Sequence, residues 1–243
     1  IRDWLLQTYS AETARRTLQQ FNACCQWAYE SQMLNYNPFI GTQRHIRKPK
    51  PSGKNWVAFT ADERDRIIAT FEVDKDWLAP WVKFLFWTGC RPEEAAALRW
   101  RHVARDNSEM MIEESFRADM PEAQPTKNSM VTRFPCNNRL QRLLREQRPD
   151  DWGREDFVFA QQAGSRFHYT NFQRRHWRSL VISLVESGDV AVYLGQYHCR
   201  HTWITLALEH MSVPEVSYLA RVTPGILMKH YVGRSRKIVI PEF

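Results

Sequence analysis

The sequence lacks the features that mark secreted and membrane proteins. None of its apolar runs is long enough to span a bilayer, and no segment has the pattern of a secretory signal peptide. The five cysteines form no CxxC pair and are odd in number, which argues against a disulfide framework. We therefore expect the cysteines to be small core residues in a reducing compartment.

Further absences concern chemistry and organisation. The sequence has no GxxxxGK(S/T) loop for nucleotide phosphates and no obvious pair of carboxylates for a divalent metal ion. It also has no internal repeat and no low-complexity tract. Nothing in the sequence indicates a cofactor, and we expect none.

What the sequence does contain is apolar surface and positive charge. Hydrophobic residues make up 43% of its 243 residues and aromatic residues 13%, enough for one large domain or two modest ones with a packed core. The formal net charge is +7, and the isoelectric point is about 9.3. An excess of lysine and arginine suits a polyanionic partner, because neutralised phosphates release condensed counterions.

A helical segment and a basic linker come first in the chain. Residues 2–6 read as the middle of a helix, so we expect that further chain precedes Ile1. Helical spacing over 13–34 predicts one apolar stripe, formed by Ala14, Leu18, Phe21, Cys25 and Ala28. Residues 46–54 combine two prolines and a glycine with four cations, which are Arg47, Lys48, Lys50 and Lys54. This composition is typical of a linker, either a solvated loop or a strap along a phosphate backbone.

The rest of the chain is predicted to be mainly α with a small antiparallel β-sheet. Thr60 and Glu63 have the spacing of a capping box that begins a helix. Residues 110–112 and 131–134 look like the two strands of the sheet. Apolar spacing predicts the remaining helices at 77–88, 93–98, 139–147, 171–185, 203–211, 214–219 and 224–231.

Three segments stand out by their polar residues. They read TGCRPEEAAALRW at 88–100, YHCRHT at 197–202, and LAR at 219–221 followed by KHY at 229–231. Together they resemble the boxes of the tyrosine recombinase, or phage integrase, family, which read T-G-x-R-x-x-E-L-x-x-L-x-W, H-x-x-R-H-T, and L-G-H with a tyrosine downstream. TKNS at 126–129 resembles the hairpin lysine motif of that family. Trp27-Ala28, together with Asn37-Pro38, resembles the end of the core-binding domain of that family.

The resemblance implies an architecture and the chemistry of phosphoryl transfer. Residues 55–243 would form the catalytic domain, after a partial helical core-binding domain at 1–45 and the linker at 46–54. Arg91 and Arg200 would neutralise the phosphate oxygens, since a planar guanidinium binds phosphate in bidentate fashion and stays charged.

The resemblance also implies the roles of the other site residues. Tyr231 would be the nucleophile, and its attack would leave a 3′-phosphotyrosine. Lys127 would be the general acid that protonates the departing 5′ oxygen. Glu94, one helical turn from Arg91, and His201 would support these groups.

Two residues depart from the pattern of the family. Tyr197 stands where the second box has histidine, and Arg221 stands where the third box has histidine or tryptophan. A tyrosine can hydrogen-bond a phosphate oxygen but is a poor base at neutral pH, and an arginine can donate to a non-bridging oxygen. His198 and His230 either compensate for the change or are structural histidines.

The function implied by the resemblance is site-specific DNA recombination, such as integration or excision of a mobile element. The partner would be double-stranded DNA with a specific recombination site. The chain would act as a homo-tetramer on DNA, with a monomer possible without it, and accessory DNA-bending or directionality factors are possible. Its localisation would be the cytoplasm of a bacterium, including one that is the host of a phage.

Two alternatives stay open: a type IB topoisomerase-like nicking and closing enzyme, and an inactive DNA-binding regulator of recombination. The apolar end of the tail, 235–243, would dock on a neighbouring protomer or on its own domain.

Overall fold

The computed structural model describes residues 1–46, 57–116, 120, 122–125, 131–161 and 164–231. The chain divides into two compact units, Ile1–Asn55 and Trp56–Phe243. Within the described ranges, no helix is both long and apolar enough to cross a membrane.

The first unit is helical. It contains α1 (Arg2–Thr8), α2 (Ala11–Glu30) and a 3-10 helix at Thr42–His45. Ser10 begins α2 because its hydroxyl accepts a hydrogen bond from the backbone N–H of Thr13 (3.2 Å). The predicted stripe is only partly correct. Ala14 and Leu18 pack with Leu5 and Ile46, whereas Phe21 is 42% exposed.

The second unit contains the rest of the fold. Its helices are α3 (Ala61–Asp74), α4 (Ala79–Thr88), α5 (Pro92–Ala97), α6 (Asn138–Gln147), α7 (Tyr169–Phe172), α8 (Arg178–Glu186), α9 (His198–Ala207), α10 (Val213–Ala220) and α11 (Pro224–His230). Short 3-10 helices lie at Asp76–Leu78 and Trp100–His102, and a π-helix at Gln173–Trp177 joins α7 to α8. The capping box is confirmed, because the Thr60 and Glu63 side chains each bond the backbone of the other residue.

The strands of the second unit form two small antiparallel sheets in the described residues. β1 (Glu109–Ile112) pairs with β4 (Thr132–Pro135), with Met110 opposite Phe134. β2 (Glu114–Ser115) pairs with β3 (Gln124–Pro125). The prediction of a single sheet is therefore corrected. Glu113 lies outside the ladder and interrupts the hairpin, and two-residue strands give no alternating pattern from which they could be predicted.

The core of the second unit is aromatic and lies under α4 and the α7–α8 segment. Trp81 stacks on Phe167 with ring centroids 4.2 Å apart, and Phe71 stacks on Trp177 at 6.0 Å. Stacked and edge-on rings add to the stabilisation from burial of their area. This core holds α4 in place, and α9 packs against α4. A second apolar cluster joins α9, α10 and α11 and consists of Ile204, Leu208, Val216, Ala220, Leu227 and Tyr231.

The cysteines are free thiols, and their placement corrects one expectation. Cys90, Cys136 and Cys199 are buried as expected for core residues. Cys24 is exposed on α2, and Cys25 is half-buried. An amphipathic helix has a solvent face, and Cys24 lies on that face of α2 while Cys25 lies at its border.

Candidate active site

The polar residues of the three sequence segments meet at one place in the second unit. Arg91 precedes α5, Arg200 lies in α9, Arg221 follows α10 and Tyr231 follows α11. α9 packs against α4 and α10, and α10 packs against α11. As a result, Nη2 of Arg91 donates a hydrogen bond to the carbonyl of Arg221, 130 positions away in the sequence (3.4 Å).

Gly89 makes the close approach of α4 and α9 possible. It ends α4 with a φ of 62°, a left-handed conformation that favours glycine. A Cβ at this position would lie 2.7 Å from Cε3 of the Trp203 ring on α9. The carbonyl of Gly89 also accepts a hydrogen bond from Nη1 of Arg200 (2.9 Å). The glycine of the first box therefore brings the helix of the second box within reach.

Glu94 is the buried anion of the site. Its Oε1 accepts from Nη1 of Arg91 at 2.6 Å, and its Oε2 accepts from Nη2 of Arg221 at 2.7 Å. Burial by itself raises the pKa of a carboxyl group, but the charges of Arg221 and Arg91 lower the pKa of Glu94 to about 2. Glu94 is therefore ionised at neutral pH and joins two guanidinium groups.

Arg91 is the most accessible of the three arginines, with 29% of its side chain exposed. Its backbone N–H donates to Oε2 of Glu94 (2.9 Å), which also begins α5. Burial lowers the pKa of Arg91, but the neighbouring Glu94 and Tyr197 raise it above its usual value. Arg91 therefore presents a fixed, charged guanidinium to solvent.

Arg200 is almost completely buried, and its hydrogen bonds go to backbone carbonyls. Nη1 donates to Gly89 and Nη2 donates to Ala220. Burial and the charge of Arg91 lower its pKa to about 10, so it stays charged at neutral pH. Neutral carbonyls do not cancel the charge of a buried cation, so a nearby anion would be attracted to it.

Arg221 lies at the end of α10 in a left-handed conformation, with φ 54° and ψ 47°. Its Nε and Nη2 donate to the two oxygens of Glu94 at 3.2 and 2.7 Å, and its Nη1 donates to the carbonyl of Leu219 at 2.8 Å. Only 6% of its side chain is exposed. Arg221, which was predicted to donate to a phosphate oxygen, thus has protein acceptors for all three of its guanidinium nitrogens.

Tyr197 and the histidines of α9 lie between the arginines and Tyr231. Tyr197 is partly exposed, interacts with Arg91, and contacts the His201 ring edge-on at 5.3 Å. His198 packs edge-on against His201 at 5.2 Å, and its Nδ1 lies 3.2 Å from the carbonyl of Gly195. Burial lowers the pKa of His198.

Tyr231 is buried in the second apolar cluster, and a hydrogen bond joins its hydroxyl to Nδ1 of His201. Burial raises the pKa of the phenol well above its usual range, although the charge of Arg200 opposes this. Burial and the charges of His198 and Arg200 lower the pKa of His201 to about 3. Both partners are therefore neutral at neutral pH in this conformation.

Several predicted residues lie outside the described ranges. Lys127 belongs to 126–130, and the tail belongs to 232–243. The linker cations, Arg47, Lys48, Lys50 and Lys54, also lie outside. Their roles remain predictions.

One group of side chains in the described residues has spacing that could suit a metal ion. Donor atoms of His102, Glu113 and Glu114 lie within 4.8 Å of one another. Arg101 already occupies this group, because its Nε donates to Nε2 of His102 (3.0 Å) and its Nη2 donates to Oε1 of Glu114 (2.6 Å). We therefore assign the group to the attachment of the 3-10 helix to the sheet.

Two contacts around the site were not predicted from the sequence. Oγ1 of Thr202, the last residue of the second box, accepts a hydrogen bond from the backbone N–H of Phe59 (3.0 Å, buried). The Tyr218 hydroxyl on α10 accepts from the backbone N–H of Arg133 in β4 (3.0 Å). The threonine was visible as part of a box, but no local signal marks Tyr218.

Comparison with known proteins identifies the family. The model of the phage integrase family matches residues 58–219. No curated protein sequence matches the chain significantly. Among solved structures, the Tn1549 transposon integrase in complex with a circular intermediate DNA is 17% identical, with a TM-score of 0.74 over 95% of this chain and 79% of that chain.

Two structures of lambda integrase are similar as well. A dimer bound to a COC′ core site is 14% identical, with a TM-score of 0.69 over 99% of this chain and 80% of that chain. A tetramer bound to a Holliday junction is 14% identical, with a TM-score of 0.64 over 90% of this chain and 60% of that chain. At these identities the likeness concerns the fold, and it confirms the prediction of a mainly helical catalytic fold with a minor antiparallel β component. The family match spans more than half of the sequence, so the chain belongs to the phage integrase family of tyrosine recombinases.

Proposed function

We propose that this chain cleaves and rejoins DNA strands in site-specific recombination, with Tyr231 as the nucleophile. The observation that carries the proposal is the convergence of the three segments. Arg91 and Arg221 bond the carboxylate of Glu94, and the positive charge of Arg200 acts on both that carboxylate and the phenol of Tyr231. A cluster of guanidinium groups near a tyrosine is the arrangement that phosphodiester transfer requires.

The charges of the site suit a phosphodiester. The guanidinium groups of Arg91 and Arg221 contact the carboxylate of Glu94, and that of Arg200 acts on it by its charge, so three cations face this one carboxylate and an excess of positive charge remains. Arg91 is partly exposed, so it can bind an anion while it keeps its contact with Glu94. Arg200 bonds backbone carbonyls, so its charge can act on an anion without an ion pair being broken. Bidentate donation to non-bridging oxygens would stabilise the transition state.

The proposed step exchanges one ester bond for another. The Tyr231 oxygen forms a bond to phosphorus, and the bond from phosphorus to the 5′ oxygen breaks. The phenol gives its proton to Nδ1 of His201, to which its hydroxyl is hydrogen-bonded, and the departing 5′ oxygen gains a proton, for which we propose Lys127 as the donor. Because the phosphotyrosine ester conserves the bond energy, a free 5′ hydroxyl can reverse the step without ATP.

The proposed partner is double-stranded DNA that carries a specific recombination site. The net charge of +7 and the basic linker cations support this, as do the structures of the lambda and Tn1549 integrases bound to DNA. We also propose a tetramer on DNA, since a lambda integrase tetramer is bound to a Holliday junction.

A covalent-trapping assay tests the proposal. The substrate is a duplex from the ends of the element that encodes the chain, nicked next to the cleavage position so that the released fragment diffuses away. We expect wild type to form a protein–DNA adduct that survives denaturing electrophoresis, and Tyr231→Phe to form none. Arg91→Ala should form no adduct yet keep most of its duplex binding in a gel-shift assay, because one of several phosphate contacts is lost.

One observation favours a second candidate, a DNA-binding regulator without catalysis. Tyr197 replaces a histidine that could act as a base, and Arg221 is engaged with Glu94. The same assay separates the two candidates. Duplex binding by wild type without any adduct would support the regulator, whereas an adduct with Tyr231→Phe as strong as with wild type would show that another residue is the nucleophile.

A further inference from the structure

Arg221 differs from the other two arginines of the site in what it contacts. Each of its three guanidinium nitrogens donates to a protein atom: Nε and Nη2 to Glu94, and Nη1 to the carbonyl of Leu219. Nη2 also lies 3.7 Å from Sγ of Cys90. By contrast, Arg200 bonds two backbone carbonyls, and Arg91 is the most exposed of the three.

We propose that Arg221 is a positioning residue that pairs with Glu94 and thereby keeps the charge of Arg91 available for the scissile phosphate. The inference rests on the proposed function, since it assigns a role in the same site. It differs from the expectation that Arg221 donates to a non-bridging oxygen.

The geometry of Glu94 supports this division of labour. Arg221 makes a two-point contact with the carboxylate, using both oxygens, whereas the Arg91 side chain contacts Oε1 alone. A bidentate guanidinium–carboxylate contact is the stronger and more directional of the two. Arg221 therefore neutralises most of the charge of Glu94, and the charge of Arg91 is not fully neutralised.

The backbone of Arg221 adds a second contact that orients Arg91. Its carbonyl accepts from Nη2 of Arg91 at 3.4 Å, so the two sides of the Arg91 guanidinium are held by Glu94 and by the turn after α10. That turn is left-handed at a residue other than glycine, a conformation of higher energy that persists only where contacts stabilise it. The Glu94 pair supplies such a contact.

A charge-balance argument gives the expected consequence of removing Arg221. Without its guanidinium, the Glu94 carboxylate has only Arg91 as a direct partner and neutralises it. Replacing Glu94 by glutamine at the same time removes that anion and restores the excess charge of wild type. A phosphate ligand would behave differently, because no change at Glu94 replaces a lost donor to the phosphate.

The test compares Arg221→Met, Glu94→Gln and the double variant E94Q/R221M with wild type in the covalent-trapping assay. We expect Arg221→Met to reduce the rate of adduct formation about 100-fold or more, as loss of an electrostatic contribution to a transition state does. The double variant should recover at least about 10-fold of that loss, with duplex binding changed much less than cleavage. Equal rates for the double variant and Arg221→Met would overturn the inference.

Two further measurements keep the outcome clear. If Arg221→Met does not fold, as judged by thermal unfolding, the double variant is compared directly with wild type. A rate within about 10-fold of wild type supports positioning, and a rate as low as that of Arg91→Ala contradicts it. If wild type itself forms no adduct, the proposed function fails and the inference fails with it; if wild type reacts and the double variant is not rescued, only the inference fails.

Discussion

The two halves of the site favour opposite charge states of their side chains. The arginine half, made of Arg91, Glu94, Arg200 and Arg221, favours ions: the pKa of Glu94 is lowered to about 2, and Arg200 stays charged. The tyrosine half, made of His201, Tyr231 and the second apolar cluster, favours neutral groups: the pKa of His201 is lowered to about 3, and that of Tyr231 is raised.

The difference has a simple physical origin in α9. Arg200 and His201 are adjacent in this helix, yet Arg200 turns to the carbonyls of Gly89 and Ala220, and His201 bonds Tyr231. Polar partners stabilise charge, whereas apolar surroundings penalise it. The arginine half is thus built in advance for an anion. The phenol, in contrast, is held neutral at neutral pH, so the attack that we propose for it requires a change in the tyrosine half.

The largest effect should follow a change at the glycine that joins α4 to α9. Gly89→Ala places a Cβ 2.7 Å from the Trp203 ring and keeps a side chain at φ 62°. Overpacking and backbone strain together should reduce the free energy of unfolding by about 3 kcal/mol, measured by urea denaturation. Gly188→Ala is the control, since φ there is 82° with no atom within 4 Å of the added Cβ, and it should lose only about 1 kcal/mol. Equal losses would show that contact with α9 does not constrain Gly89.

An intermediate effect should appear in the acid stability of the tyrosine half. The pKa of His201 is about 3 in the folded protein and about 6.5 when unfolded, so the unfolded state binds the proton first. Its contribution to stability is complete above about pH 6.5 and is lost as the pH falls from there towards about 3. His201→Phe should therefore lose about 2 kcal/mol less stability than wild type between pH 7 and pH 5, measured by urea denaturation at both values.

The matched control for that measurement keeps the histidine and removes its partner. Tyr231→Phe leaves His201 buried, and burial is the main cause of its lowered pKa. The acid dependence of this variant should match that of wild type. If both Tyr231→Phe and His201→Phe remove the acid dependence, the hydroxyl, and not burial of the imidazole, lowers the pKa of His201.

Local signals allowed much of the fold to be predicted from the sequence. The capping box at Thr60 depends on a short spacing, and β1 and β4 are each marked by a short run of strand-forming residues; both predictions are confirmed. The start of α9 was predicted at Trp203, but the helix begins at His198. Its first turns contain buried polar residues, including Arg200 and Thr202, and apolar periodicity cannot reveal a helix whose buried face is polar.

The residues that form the site were easier to predict than the contacts between them. The boxes place Arg91, Arg200 and Tyr231 together as a family property, and their catalytic roles remain proposals. The two-point contact between Arg221 and Glu94 joins positions 127 apart in the sequence. No local pattern encodes that distance, because it depends on how α5 and α10 pack in three dimensions.

The smallest effect should come from the hydrogen bond that joins β4 to α10, next to the arginine half. In Tyr218→Phe the backbone N–H of Arg133 loses its acceptor, which lies at 3.0 Å. Tyr218 is 44% exposed, so water can replace the hydroxyl, and the variant should lose about 1 kcal/mol or less in urea denaturation. Tyr29→Phe, at a similarly exposed tyrosine of the first unit, is the control and should stay within about 0.5 kcal/mol of wild type. A loss above about 3 kcal/mol for Tyr218→Phe would mean that water does not replace the lost acceptor. It would also mean that the arginine half depends on β4 for its stability.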